Sequence, residues 1–81
     1  MNEVLLKTQE IIEDYLGGSQ LVTAEMDLVT DLGLNSFDMA SLLCEFEDQF
    51  DLEISTEAAV NITTVQSIAD YIEKSLKTVA V

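Results

Sequence analysis

Eighty-one residues, 48% of them hydrophobic, with a single cysteine, describe one small domain that folds by burial alone, because one thiol forms no internal disulfide. Sixteen acidic residues face three lysines, with no arginine and no histidine, for a formal charge of −13. That balance excludes ordinary nucleic-acid binding, which rests on cationic contacts to phosphate, and disfavours an anionic membrane surface. It steers basic protein patches toward the chain and favours a soluble monomer.

No apolar run approaches the roughly 18 residues of a membrane span. The N-terminus (Met1-Asn2-Glu3) has no basic stretch leading into an apolar one, so no secretion signal is read and a reduced cytoplasmic compartment is expected.

Asn2 suits the N-cap of a first helix whose apolar stripe is Val4, Leu5, Ile11, Ile12, Tyr15 and Leu16, with Gly17-Gly18 as its stop. From Ser19 to Asn35 the periodicity weakens. Leu21, Val22, Met26, Leu28, Leu32 and Leu34 recur irregularly, which predicts a long loop pinned across the bundle by those side chains. A second helix is predicted from about Ser36 to Phe50, with Asn35 or Ser36 as cap. At 100° per residue its Met39, Leu42, Leu43, Phe46 and Phe50 fall within an arc of about 100° facing the core. Asp38, Ser41, Glu45 and Asp48 fall on the outer side, with Phe37 and Cys44 at the border of that acidic strip.

Asp51-Leu52-Glu53-Ile54 reads as a connector, too short and unpartnered for a strand. Ser55 or Thr56 caps a short third helix ended by Asn61. Thr63 or Thr64 caps the last one, whose stripe is Val65, Ile68, Ala69, Ile72 and Leu76, and residues 78–81 are expected to fray. The fold class is all-α: one domain over 1–81, a small bundle of three main helices plus a short one, with a long loop between the first two.

The residues offer little for catalysis. There is no histidine for acid–base work at neutral pH, and Ser36 has no base in sequence to activate it. One cysteine and no histidine exclude a zinc site. Asp27, Asp31, Gly33, Asn35 and Asp38 lack the spacing of a calcium loop, so no metal site is expected. Cys44, flanked by Glu45, Glu47 and Asp48, sits in surroundings that disfavour a thiolate. Ser36 stands apart: a hydroxyl beside a helix start, where free N–H groups and the dipole favour an anion such as a phosphodiester.

Asp31-Leu32-Gly33-Leu34-Asn35-Ser36-Phe37 resembles the Asp-Leu-Gly-x-Asp-Ser-Leu hallmark of the acyl carrier protein family. The resemblance continues through Glu47, Phe50-Asp51, Glu53-Ile54, Ile62-Thr63-Thr64-Val65 and Asp70-Tyr71-Ile72, and back to Ile11-Ile12 and Leu16-Gly17. It implies an acyl-carrier-like bundle and a carrier rather than an enzyme. A 4′-phosphopantetheine would be attached to Ser36 by a phosphopantetheinyl transferase using coenzyme A and Mg²⁺. Acyl-type cargo would be held as a thioester, in fatty-acid, polyketide or related specialised biosynthesis. The partners implied are acyl-loading and acyl-transferring enzymes whose basic patches read Asp31, Asn35, Phe37, Asp38, Ser41, Cys44, Glu45, Glu47 and Asp48.

Departures from the family pattern accompany it. Asn35 replaces an acidic residue directly before the serine, Ser41 a glutamate, and Ser55 a proline, while Phe37 and Cys44 replace Leu and a Met or aliphatic residue. They point to a specialised carrier. Two other readings fit the residues: an aminoacyl (D-alanyl) carrier, and an acidic adaptor or inhibitor that binds a basic surface without a prosthetic group.

Overall fold

The computed structural model describes residues 3–18 and 20–79. Four helices follow one another: α1 (Glu3–Tyr15), α2 (Ser36–Phe50), α3 (Thr56–Val60) and α4 (Val65–Val79). Helix α1 packs against both α4 and α2. Among the described residues no strand forms, and the connector after α2 is irregular, as its length predicts. The expected cap Asn2 lies outside the described residues, as do 80 and 81; the helical backbone of α4 reaches Val79, past the point where fraying is expected.

The centre is built from Ile12, Val22, Leu28, Leu42, Phe46, Val65, Ile68 and Ile72, all within 1% of complete burial. Each such side chain contributes about 1.5–3 kcal/mol relative to exposure, which is how a domain with no disulfide holds together. Met39, Leu43 and Phe50 complete the inner face of α2, with the Phe46 and Phe50 rings stacked at a 6.4 Å centroid separation.

Three apolar assignments are corrected. Tyr15 is 40% exposed, Leu21 77% and Leu76 37%. Tyr15 closes the last turn of α1, and its ring is turned so that the hydroxyl reaches α2. Leu21 leaves the pinning of its loop segment to its neighbour: the Glu13 carboxylate accepts the Val22 N–H at 3.0 Å and the Gln9 amide donates to the Val22 carbonyl at 2.8 Å.

The rest of the long loop is held by backbone bonds to the start of α4. Leu28 N–H donates to the Thr63 carbonyl at 2.9 Å, Val65 N–H to Met26 at 3.1 Å and Gln66 N–H to Ala24 at 2.9 Å, around an isolated antiparallel bridge between Asp27 and Thr64. Thr64 caps α4 with the reciprocal pattern seen at strong helix starts, its Oγ1 accepting from Ser67 N–H at 3.1 Å while Ser67 Oγ accepts from Thr64 N–H at 2.9 Å.

Candidate functional site

The approach to α2 is a chain of local necessities. Asp27 Oδ1 accepts the N–H groups of Val29 (2.9 Å) and Thr30 (2.8 Å), and Asp31 Oδ2 accepts the N–H of Asp27 (2.7 Å). The Thr30 N–H, then that of Val29, hold the Asp27 carboxyl below its ordinary range. Gly33 turns the chain at φ +71°, a left-handed conformation that costs glycine little, and its N–H donates to the Val29 carbonyl at 3.0 Å. Buried Leu32 and Leu34 anchor both sides of that turn.

Asn35 is the N-cap and Ser36 the first helical residue. Asn35 Oδ1 accepts the Asp38 N–H at 2.8 Å, and Asp38 Oδ2 accepts the Asn35 N–H at 3.2 Å, a capping box with Asp in place of the usual Glu. The other Asp38 oxygen accepts the Tyr15 hydroxyl at 2.7 Å, from the end of α1. That bond, with smaller contributions from partial desolvation and the Asp38 charge, raises the Tyr15 hydroxyl above its ordinary value, while the Ser41 hydroxyl pulls the other way. With capping done by Asn35 and Asp38, the Ser36 hydroxyl bonds to none of the described residues and is exposed.

Ser36 stands at the rim of an apolar cleft of about 790 Å³ between α2 and α3. Its walls include Val29, Leu34, Met39, Leu43, Ile54, Ala59, Val60 and Ile62, and no charged side chain lines it. Sequence periodicity assigns Met39 and Leu43 to the core, and both pack against it, but they also wall this opening.

The expected docking residues divide in two. Asp31, Asn35, Phe37 (76% exposed), Cys44, Glu45 and Asp48 are exposed, and Asp38, Ser41 and Glu47 are half-buried. Three carboxylates expected on the docking face are committed to the chain's own backbone: Asp31 to Asp27, Asp38 to Asn35, and half-buried Glu47 to Ile54 N–H at 2.8 Å. Tyr15, which a helical wheel puts on the apolar stripe, reaches the turn before α2 through its bond to Asp38, a contact that the periodicity does not predict. The signal available in the sequence is only its phenol, a polar tip on an otherwise apolar stripe. Among the described residues no group of three or more His, Cys, Asp or Glu is placed to hold a metal ion, and no helix is long and apolar enough to cross a membrane.

Residues 7–72 match the model of the phosphopantetheine attachment site family. The chain belongs to the acyl carrier protein family. It is 43% identical over 75 residues to the acyl carrier protein of Buchnera aphidicola, covering 91% of this chain and 96% of that one. To the acyl carrier protein of Trieres chinensis it is 37% identical over 73 residues, covering 89% and 91%. The crystal structure of an acyl carrier protein from Thermotoga maritima superposes with a TM-score of 0.80 at 29% identity, covering 95% of this chain and 91% of that one. Acyl carrier proteins are carriers rather than enzymes, and membership brings with it a covalently attached 4′-phosphopantetheine. The α2 start fits such a group: an exposed primary hydroxyl, the Ser36 and Phe37 N–H groups that the capping box leaves over for a phosphate, and an adjoining apolar cleft.

Proposed function

We propose that Ser36 Oγ is the attachment point of the 4′-phosphopantetheine, and that the domain carries an acyl chain for fatty-acid, polyketide or related specialised biosynthesis. The observation that supports this most directly is the position of Ser36: first residue of α2, hydroxyl exposed, at the rim of the cleft. When bound, the prosthetic group supplies a terminal thiol on which cargo is carried. The chain's own residues do the rest. Asn35 and Asp38 fix the turn that presents the hydroxyl, and because the capping box takes up their own N–H groups, those of Ser36 and Phe37 are the ones left to meet the phosphate.

Met39, Leu43, Ile54, Ala59 and Ile62 line a space within the size range of small-molecule pockets, suited to an apolar chain. An aminoacyl cargo such as D-alanine fits the cleft less well, because its ammonium group finds no carboxylate in the lining. Solvent-facing Glu45 and Asp48, with Phe37 and Cys44 beside them, form the surface that basic patches of the transferase and of acyl-handling enzymes would read. Exposed charges of this kind govern encounter rate and partner choice more than affinity, which suits a carrier that must be released quickly.

Intact-mass measurement tests the reading. Incubation with coenzyme A, Mg²⁺ and a broad-specificity phosphopantetheinyl transferase adds one phosphopantetheine to the wild type and none to Ser36→Ala. A wild type that gains no mass with several competent transferases, or a Ser36→Ala chain that still gains it, overturns the assignment.

A further inference from the structure

We infer that Tyr15 is a positioning residue for the modification of Ser36, holding the serine turn to the end of α1 through the Asp38 carboxylate. The inference rests on Ser36 being the modified residue.

Asp38 is engaged at three points. Its N–H donates to Asn35 Oδ1 at 2.8 Å, its Oδ2 accepts the Asn35 N–H at 3.2 Å, and its Oδ1 accepts the Tyr15 hydroxyl at 2.7 Å. The first two bonds close a ring over residues 35–38 and fix the backbone that carries Ser36. Those two bonds alone would leave the ring free to rock with the first turn of α2. The third reaches 23 residues back in the chain, to the last residue of α1. Helix α1 is itself seated in the core by Ile11 and Ile12 and packs on α2 and α4. The serine turn is therefore referenced to the rigid part of the domain, across a gap its own loop spans only with the long segment 16–35.

A nucleophile delivered to another protein's active site needs that reference. In the loading step the Ser36 Oγ–P bond forms and the pyrophosphate P–O bond of coenzyme A breaks. Adenosine 3′,5′-bisphosphate leaves, and the hydroxyl proton passes to a base of the transferase. The rate of such a step is sensitive to fractions of an ångström in the approach of the attacking oxygen. A second feature points the same way: each Asp38 oxygen accepts a hydrogen bond inside the chain, so the half-buried carboxylate keeps its charge but is held in place as a strut.

The test is the steady-state kinetics of loading with coenzyme A and Mg²⁺, followed by intact mass. Tyr15→Phe keeps the ring and removes only the hydroxyl. The expected result is a fall in kcat of roughly 3- to 10-fold with KM for the carrier unchanged. In an Asp38→Ala background Tyr15→Phe causes no further fall. Tyr71→Phe deletes the other tyrosine hydroxyl bond, to the Glu53 carbonyl beyond the far end of α2, and leaves the rate unchanged. Should Tyr15→Phe not fold, Asp38→Glu misplaces the same acceptor from the other side and must lower kcat alike. An unchanged rate in Tyr15→Phe, a change in KM alone, an equal fall in the Asp38→Ala background, or an equal fall in Tyr71→Phe overturns the inference. A wild type that is never loaded, or is loaded elsewhere than Ser36, refutes the underlying assignment instead, and the two failures are told apart by the Ser36→Ala control.

Discussion

The Glu47 carboxylate accepts the Ile54 backbone N–H at 2.8 Å, tying α2 to the connector that leads into α3. The two residues are seven apart, and between them Asp51 turns the chain in the left-handed conformation at φ 54°. Without that acceptor a half-buried N–H beside the cleft has no partner. Glu47→Ala is therefore expected to destabilise the fold by about 1–2 kcal/mol, and Glu47→Gln by less, since the amide oxygen still accepts. Chemical denaturation gives both values. Because Ile54 lines the cleft, acyl-chain binding should weaken with Glu47→Ala, whereas Asp48→Asn, at an exposed position outside the cleft lining, leaves acyl-chain binding unchanged.

Asn35 is the one departure from the family pattern that sits directly before the serine, and it has a structural task as N-cap. Asn35→Ala removes the acceptor for Asp38 N–H and should cost about 0.5–2 kcal/mol. Asn35→Asp caps equally well, so its stability should stay within about 0.5 kcal/mol of wild type. The added exposed charge instead raises the encounter rate with a basic transferase, most strongly at low salt. Stopped-flow binding of both chains at two salt concentrations measures it; an Asn35→Asp rate equal to that of wild type at low salt would show that position 35 does not face the partner.

Much of this architecture is legible in the chain because it is written in period. The 3.6-residue stripes of α1, α2 and α4 and the capping residues Asn35, Ser55 and Thr64 carry their own signals, and the helices fall where those signals are. Ser36 stands out in the sequence only through its context, Asp31-Leu32-Gly33-Leu34-Asn35 before it and Phe37 after it, because a serine at a helix start is by itself an ordinary cap. What escapes is whatever depends on direction rather than spacing. The wheel puts Tyr15 on the apolar stripe, but its polar tip was drawn to Asp38, 23 residues away. Asp38 and Glu47 count as acidic residues of α2, yet each bonds a backbone N–H, which composition cannot distinguish from a solvated charge. The bridge of Asp27 to Thr64 joins residues far apart in sequence, and no local pattern marks it.

Two groups set opposite ends of the pH response. Tyr15 has its hydroxyl raised above 10.0 in the folded state, by the bond to Asp38 first. A raised folded value means its contribution is complete below the unfolded value and is lost as pH climbs through the folded one. The stability difference between wild type and Tyr15→Phe should thus be constant to about pH 9 and shrink above pH 10. Asp27 is lowered below 3.8 by the Thr30 and Val29 N–H groups, so its contribution is present above that value and disappears as pH falls through the lower folded one. Asp27→Ala should therefore lose stability at neutral pH and converge with wild type in acid. Denaturant titrations at pH 2.5, 7 and 11 cover both ends, and parallel curves for variant and wild type across the range would refute the assignment.

The net charge of −13 makes self-repulsion a term in stability, and its location can be tested. Several carboxylates lie at the C-terminal half of α2 and the connector beyond it: Glu45, Asp48, Asp51 and Glu53 are exposed there, and no basic residue stands in the last turn of α2. A helix C-terminus carries the negative end of the dipole, so Asp48 and Asp51 are opposed by the backbone as well as by each other. Sodium chloride at about 0.1 M shortens the screening length to about 10 Å and should relieve about 1 kcal/mol, raising Tm by about 4–8 °C. Asp48→Asn removes one of the opposed charges without touching a hydrogen bond of the fold. It should raise Tm in low salt and reduce the salt-dependent gain. If Asp48→Asn responds to salt as fully as wild type does, the repulsion is spread over the whole surface and this end of α2 has no special share in it.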